Sequence, residues 1–186
     1  PPERAVLAAN METALNILWD SGAGAGDRIA VVGGGLVGLL VGYLAARLPG
    51  AEVTVVDPLP DRRAVAEGLG CAFASPEDAP GDRDVVIHTS ATQAGLVLAL
   101  SLAGAQATIA EASWHGSADV ALPLGAAFHS RRLRIVSTQV GSIPPDRAPR
   151  WTYRRRLTKA LDLLCDARLD ALISGQTAFA DLPDAY

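Results

Sequence analysis

Cysteine is scarce in this chain, and its placement excludes two kinds of scaffold. Cys71 and Cys165 are the two cysteines among 186 residues, too far apart to suggest a disulfide framework or a zinc motif. Such usage suits a reducing compartment, so a cytoplasmic location is expected. The three histidines, His88, His115 and His129, have spacings that match no zinc site, and no metal ligand is assigned. Positive charge is not in excess. A formal net charge of −4 provides no field for nucleic acid or an anionic membrane, and neither is expected as a partner. The sequence shows no signal-peptide pattern. It also lacks an unbroken apolar run of membrane length. The longest, Ile29 to Leu48, is interrupted by glycines and Arg47, and a buried strand, turn and helix explain it better. With 49% hydrophobic and 19% charged residues, the chain can order itself around one substantial core.

The most informative feature is the run Ile29-Ala30-Val31-Val32-Gly33-Gly34-Gly35-Leu36-Val37-Gly38. An apolar strand ends in G-x-G-x-x-G, with Gly33, Gly35 and Gly38 as its glycines, and a helical pattern follows to Leu48. A second apolar run, Val53 to Val56, then delivers Asp57, 19 residues after Gly38. Gly33 permits a tight turn, Gly35 lets a pyrophosphate approach the backbone, and Gly38 lets helix and strand pack closely. The helix N-terminus offers unpaired N–H groups at Leu36 and Val37 to the phosphates. Asp57 can accept hydrogen bonds from both hydroxyls of an adenosine ribose. The alternatives are a glycine-rich turn that binds nothing, or one serving another adenosine ligand such as S-adenosylmethionine. Methyltransferases usually lack the third, close-packing glycine.

The rest of the chain alternates strands and helices. A first amphipathic helix is expected over Glu3 to Asp20, followed by a tight glycine-rich connector, residues 21–26. Strands are expected at Arg28–Val32, Glu52–Asp57, Cys71–Phe73, Asp84–Thr89, Ala105–Glu111 and Leu133–Ser137. Helices are expected at Leu36–Leu48, from Pro60 to near Gly68, at Gln93–Leu102, Leu124–Arg131 and Trp151–Ala167. Ser75–Gly81 and Pro144–Pro149 read as surface loops. Most strands are apolar on both faces. The fold class is therefore α/β, a doubly wound parallel six-stranded sheet of Rossmann type, ordered 3-2-1-4-5-6 with a cofactor across the switch point. The chain opens on Pro1-Pro2 in a helical pattern, and Asp181-Leu182-Pro183-Asp184 reads as the start of another helix. Residues 1–186 are thus expected to be one dinucleotide-binding domain excised from a longer chain.

With a helix ahead of the first strand, the order of elements resembles the nucleotide-binding domain of medium-chain dehydrogenase/reductases, the zinc-type alcohol dehydrogenases and their relatives. Thr13-Ala14-Leu15 and the stretch Gly26 to Gly38 are close to that pattern. Pro123-Leu124-Gly125, Phe128-His129, Arg131 to Arg134 and Ser137-Thr138-Gln139-Val140-Gly141 resemble the bacteriochlorophyllide a dehydrogenase-like subgroup. So do Arg150-Trp151, Arg155-Arg156-Leu157 and Leu169-Asp170-Ala171-Leu172-Ile173. The subgroup does not establish a chlorophyll precursor as substrate. The resemblance implies an oxidoreductase that moves hydride between nicotinamide and a small alcohol or ketone. Most catalytic groups, and any catalytic zinc, would lie in a separate domain absent here, so this chain alone is expected to be inactive. A homodimer is compatible with the resemblance. A regulatory Rossmann module that senses NAD is the alternative, since fold alone does not decide function.

Asp57 favours NAD over NADP, because a carboxylate there repels a 2′-phosphate. The resemblance places a cation near the adenosine ribose at Arg62, which reads equally well as a solvated residue of a helix start. Thr89, Ser90 and Ala91 follow the fourth strand and are expected to line the adenosine or ribose groove. Glu111, Ala112 and Ser113 follow the fifth and approach the nicotinamide side. Glu111 contacts substrate or, by a slight preference, faces solvent. Gln139 and Val140 follow the sixth, and either meet the carboxamide end of the cofactor or form a loop held by its own hydrogen bonds. His88 reads as a satisfied buried histidine, His115 as a residue that could border the active site, and His129 as packed or exposed on a helix. In zinc members a ligand often precedes the first helix. The matching stretch Ala8 to Glu12 lacks it, and Glu12 is out of register. Arg147, Arg150, Arg154, Arg155, Arg156 and Lys159 read as a solvated basic face, the alternative being a face that attracts an acidic substrate or another domain. Catalytic residues are not assigned.

Overall fold

Six parallel strands form one sheet in the order β3-β2-β1-β4-β5-β6. The computed structural model describes residues 2–125 and 127–182. The strands are β1 (Arg28–Val32), β2 (Glu52–Val56), β3 (Ala72–Ala74), β4 (Arg83–His88), β5 (Ala103–Glu111) and β6 (Arg134–Ser137). The helices are α1 (Ala8–Ser21), α2 (Leu36–Ala45), α3 (Arg62–Gly68), α4 (Gln93–Leu102), α5 (Ala127–Ser130) and α6 (Tyr153–Leu163). The expected α/β doubly wound order is the observed one. Its central strand, β1, is buried along Ile29 to Val32 because helices cover both faces of the sheet.

The period of two along β1 splits the core. Ile29 and Val31 join a cluster with Met11, Ile17, Leu40 and Leu69. Ala30 and Val32 face a second cluster with Leu96, Leu100 and Ile109. The helices preceding and following the first half of the sheet thus cover one face, and α4 the other. Each fully buried Val, Leu or Ile contributes about 1.5–3 kcal/mol.

Element ends differ from expectation where caps decide them. Residues 2–7 form a 3-10 helix and α1 starts only at Ala8, ending when Gly22 takes a left-handed φ of 72°. Helix α2 stops at Ala45 rather than Leu48, since the chain must turn through Gly50 (φ 71°) into β2. The expected helix over 124–131 is a single turn, Ala127–Ser130. Thr152 caps α6, accepting from the Arg155 N–H, so the helix starts at Tyr153 and not Trp151. It ends at Leu163, and a separate 3-10 turn spans Ala167–Leu172. The helix start expected around Pro183 and Asp184 lies outside the described residues. Among the described residues no helix is long and apolar enough to cross a membrane.

Arg156 corrects the expectation of a wholly solvated basic face. It is 4% exposed. Its Nε meets Glu12 Oε1 at 3.0 Å and its Nη1 donates to Asn16 Oδ1 at 2.7 Å. The pair ties α6 to α1. Arg150, Arg154, Arg155 and Lys159 are exposed.

Candidate functional site

The carboxyl ends of the strands meet around the glycine turn. At Gly33 φ is 112°, and a Cβ would lie 2.8 Å from the Ser90 backbone nitrogen, so only glycine fits. At Gly38 a Cβ would come within 1.9 Å of the Gly33 carbonyl oxygen, which is how closely α2 packs on β1. Gly35 is different: nothing lies within 4 Å of a Cβ built there, and its φ of −73° suits any residue. Its missing side chain leaves open space at the surface. Helix α2 begins there without a side-chain cap, so the N–H groups of Leu36 and Val37 are not claimed by one. Helices α4 and α6, by contrast, are capped by Thr92 and Thr152.

Asp57 follows β2 directly opposite this turn. Its Oδ2 accepts from the Gly34 N–H at 2.7 Å and its Oδ1 from the Leu59 N–H at 2.9 Å. The carboxylate is therefore oriented before any ligand arrives. Asp57, Gly33 and Ser90 share a cavity of about 360 Å³, whose apolar wall is supplied by Val56, Leu59 and Leu98. Thr89 is turned toward the glycine turn, donating to the Gly33 carbonyl at 2.9 Å. Arg62 is the first residue of α3, exposed, and is not part of that wall.

A second cavity, about 540 Å³, lies at the ends of β5 and β6. Ala112, Gln139 and Val140 line it together with Thr13, Ser113 and Trp114. Gln139 also bonds its own loop, its Oε1 accepting from the Gly141 N–H. The Gly33 turn and Asp57 are thus brought together with Ser90, while Ala112, Gln139 and Val140 gather at the far side of the sheet.

Between the two cavities lies a chain of polar side chains that spacing did not reveal. His88, fully buried at the end of β4, meets Glu111 Oε2 through Nδ1 at 2.7 Å and Ser90 Oγ through Nε2 at 2.8 Å. Ser90 Oγ lies 3.0 Å from Thr92 Oγ1. Gly95 makes room for this chain, since a Cβ there would lie 2.1 Å from Ser90 Oγ and 2.8 Å from His88 Nε2. Glu111 does not face solvent as preferred from sequence. Burial alone would raise its pKa, but the His88 hydrogen bond and charge and the Ser113 N–H, at 2.7 Å, outweigh it and hold the group below its usual value. His88 and Glu111 are register partners on adjacent parallel strands, which brings together residues 23 apart in sequence. Residue spacing within one strand carries no sign of that pairing. Thr92 was recoverable, as a Thr placed just ahead of an apolar helical run.

No family model matches the chain. D-guloside 3-dehydrogenase of Escherichia coli (strain K12) is 27% identical over 198 residues, covering 99% of this chain and 57% of that protein. The chain thus spans little more than half the length of the curated relatives it matches. Among solved structures, the alcohol dehydrogenase TADH from Thermus sp. ATN1 is 25% identical with a TM-score of 0.71, over 91% of this chain and 49% of that one. A Sinorhizobium meliloti 1021 protein described as a zinc-binding dehydrogenase, bound to NADP, superposes with a TM-score of 0.72 at 21% identity, over 94% of this chain and 56% of that one. The chain shares its six-stranded parallel fold with the part of these dehydrogenases on which it superposes.

Proposed function

We propose that the chain binds NAD across the carboxyl ends of its strands and serves as the cofactor-binding part of an alcohol or ketone oxidoreductase. The observation that carries this is the oriented Asp57 carboxylate, set beside an uncapped helix start and the open space at Gly35. The residues present fit the cofactor. Asp57 would accept from the adenosine ribose, with the adenine against the Val56, Leu59 and Leu98 wall. The N–H groups of Leu36 and Val37 would meet the pyrophosphate over Gly35. Ala112, Gln139 and Val140 would border the nicotinamide end in the second cavity. When bound, the nicotinamide supplies the hydride acceptor or donor, and the protein supplies position and electrostatics.

NAD is preferred over NADP because Asp57 would place a second negative charge beside a 2′-phosphate. Neither Arg62 nor Arg63, at the start of α3, lines the cavity that holds Asp57, and Arg63 lies over the Phe73 ring. A reducing, cytoplasmic setting accords with two free cysteines. Residues 123–125, 128–129, 131–134 and 137–141 resemble the bacteriochlorophyllide a dehydrogenase subgroup, and the proposed substrate class is a small alcohol or ketone. Fluorescence titration of the chain with NADH and with NADPH tests the reading. Tighter NADH binding is expected, and equal affinity or a preference for NADPH would overturn the NAD assignment.

A further inference from the structure

We propose that His88, Glu111 and His115 form a binding site for a divalent first-row transition ion, with zinc as the best match to the donors. One ligand atom from each of the three residues lies within 4.8 Å of the others. Two imidazoles and one carboxylate are the donor set of zinc sites that keep a fourth position for another ligand. Ser113 Oγ, 3.3 Å from His88 Nδ1, is the protein oxygen placed to approach that position.

Three observations point to an ion rather than a purely structural cluster. His115 Nε2 is buried and has no hydrogen-bond partner. It faces Glu111 Oε1 across 3.8 Å, too far for a hydrogen bond. A buried polar atom without a partner calls for one, and a cation between imidazole and carboxylate supplies it. Next, the rings of His88 and His115 have centroids 6.0 Å apart. A Zn–N bond of about 2.0–2.1 Å puts a ring centroid roughly 3 Å from the ion, so two imidazoles on a tetrahedral ion lie about 5 Å apart. The observed separation exceeds that by about an ångström. Lastly, the outer partners are already in place. His88 Nε2 is covered by α4 at Gly95 and held by Ser90, so an ion would take Nδ1 and replace its 2.7 Å hydrogen bond to Glu111 Oε2. With an ion in place of that hydrogen bond, the ring hydrogen sits on Nε2 and is donated to Ser90 Oγ, whose hydroxyl in turn reaches Thr92 Oγ1. Such a second shell fixes the tautomer and orientation of a ligating histidine. To reach tetrahedral spacing the widest ligand pair must close by about an ångström, and His88 Nδ1 and Glu111 Oε2, now 2.7 Å apart, must part by roughly half an ångström. His115 can supply that movement, because it lies in the irregular segment after β5, whereas His88 is fixed in its strand.

The site lies at the ends of β4 and β5, next to the wall of the second cavity, and needs no dinucleotide to form. Its test is therefore separate from that of the proposed cofactor binding. The 186-residue chain, freed of metal by chelator, is titrated with Co²⁺ as the spectroscopic probe and with Zn²⁺ in competition. One equivalent of Co²⁺ with the visible bands of a four-coordinate ion is expected, displaced by Zn²⁺. His115→Ala and Glu111→Gln should each weaken binding by about tenfold or more, while His129→Ala and Cys165→Ser leave it unchanged. Circular dichroism checks that each variant is folded. Imidazole ¹⁵N shifts in the unaltered chain supply a readout independent of variants, and Zn²⁺ should move the His88 and His115 signals together. Absence of stoichiometric binding, signals that stay in place, binding that survives His115→Ala, or loss through His129→Ala or Cys165→Ser would each overturn the proposal.

Discussion

Single residues carry the most direct tests of the groove. Asp57→Ala should weaken NADH binding and reduce the preference over NADPH by about tenfold or more, since hydrogen bonds to a charged group are worth roughly 1.5–3 kcal/mol. Parallel titrations of the variant with both cofactors measure this, and an unchanged ratio would remove Asp57 from the site. Gly35→Val probes the adjacent position. Its backbone is compatible with valine and its Cβ meets no atom within 4 Å, so the variant should fold with an unchanged far-ultraviolet spectrum. NADH affinity should nevertheless fall at least about tenfold, or about 1.4 kcal/mol, as the side chain occupies the phosphate's approach. Glu111 gives a pH signature. Its folded-state pKa is lowered from 4.5, so its contribution to stability is present above that value and is lost as pH falls through the lower folded value. Urea unfolding across the acid range should show Glu111→Gln lacking that part of the decline. Parallel curves for the two proteins would count against an ionised, hydrogen-bonded Glu111.

At the scale of elements, legibility followed chain locality. The turn from β1 into α2 and the Asp57 position were readable because strand, glycines, helix and acid succeed one another in sequence. The order of the sheet was readable from the alternation of apolar runs with helices. The His88–Glu111 pair was not, because it exists only through the parallel register of β4 and β5. Nor was the burial of Arg156. In sequence it stands within a run of basic residues, and only the packing of α6 on α1 sets it against Glu12 and Asn16. That contact also leaves Glu12 occupied by an ion pair at 3.0 Å instead of free as a ligand. Glu12→Ala should therefore destabilise the fold by roughly 3–5 kcal/mol, the effect of leaving a buried charge unpaired. Glu12→Ala combined with Arg156→Met should recover a large part of that loss. Chemical denaturation of the two variants decides it, and a double variant no more stable than Glu12→Ala would show that the charge pairing is not the cause.

For the whole molecule, binding and catalysis are expected to separate. Oxidation of an alcohol requires the substrate to be fixed near the nicotinamide and its hydroxyl proton to be accepted. The second cavity, where the nicotinamide end is proposed to lie, is bordered by Thr13, Ala112, Ser113, Trp114, Gln139 and Val140, together with Thr138. None of these is a histidine, a carboxylate or a cysteine, and nothing in that wall is suited to accept the proton at neutral pH. Trp114, on the rim of this cavity, is 88% exposed. The curated relatives are longer, the chain covering 57% of D-guloside 3-dehydrogenase. The 186-residue chain should accordingly bind NADH yet give no alcohol-dependent reduction of NAD above the protein-free rate. The assay is a panel of primary alcohols, secondary alcohols and sugar alcohols followed by NADH absorbance, with cofactor binding confirmed on the same sample. Clear turnover would place a proton acceptor within this chain. Glu111 and His115, immediately behind the Ala112–Ser113 wall and 3.8 Å apart, would then be the first residues to replace.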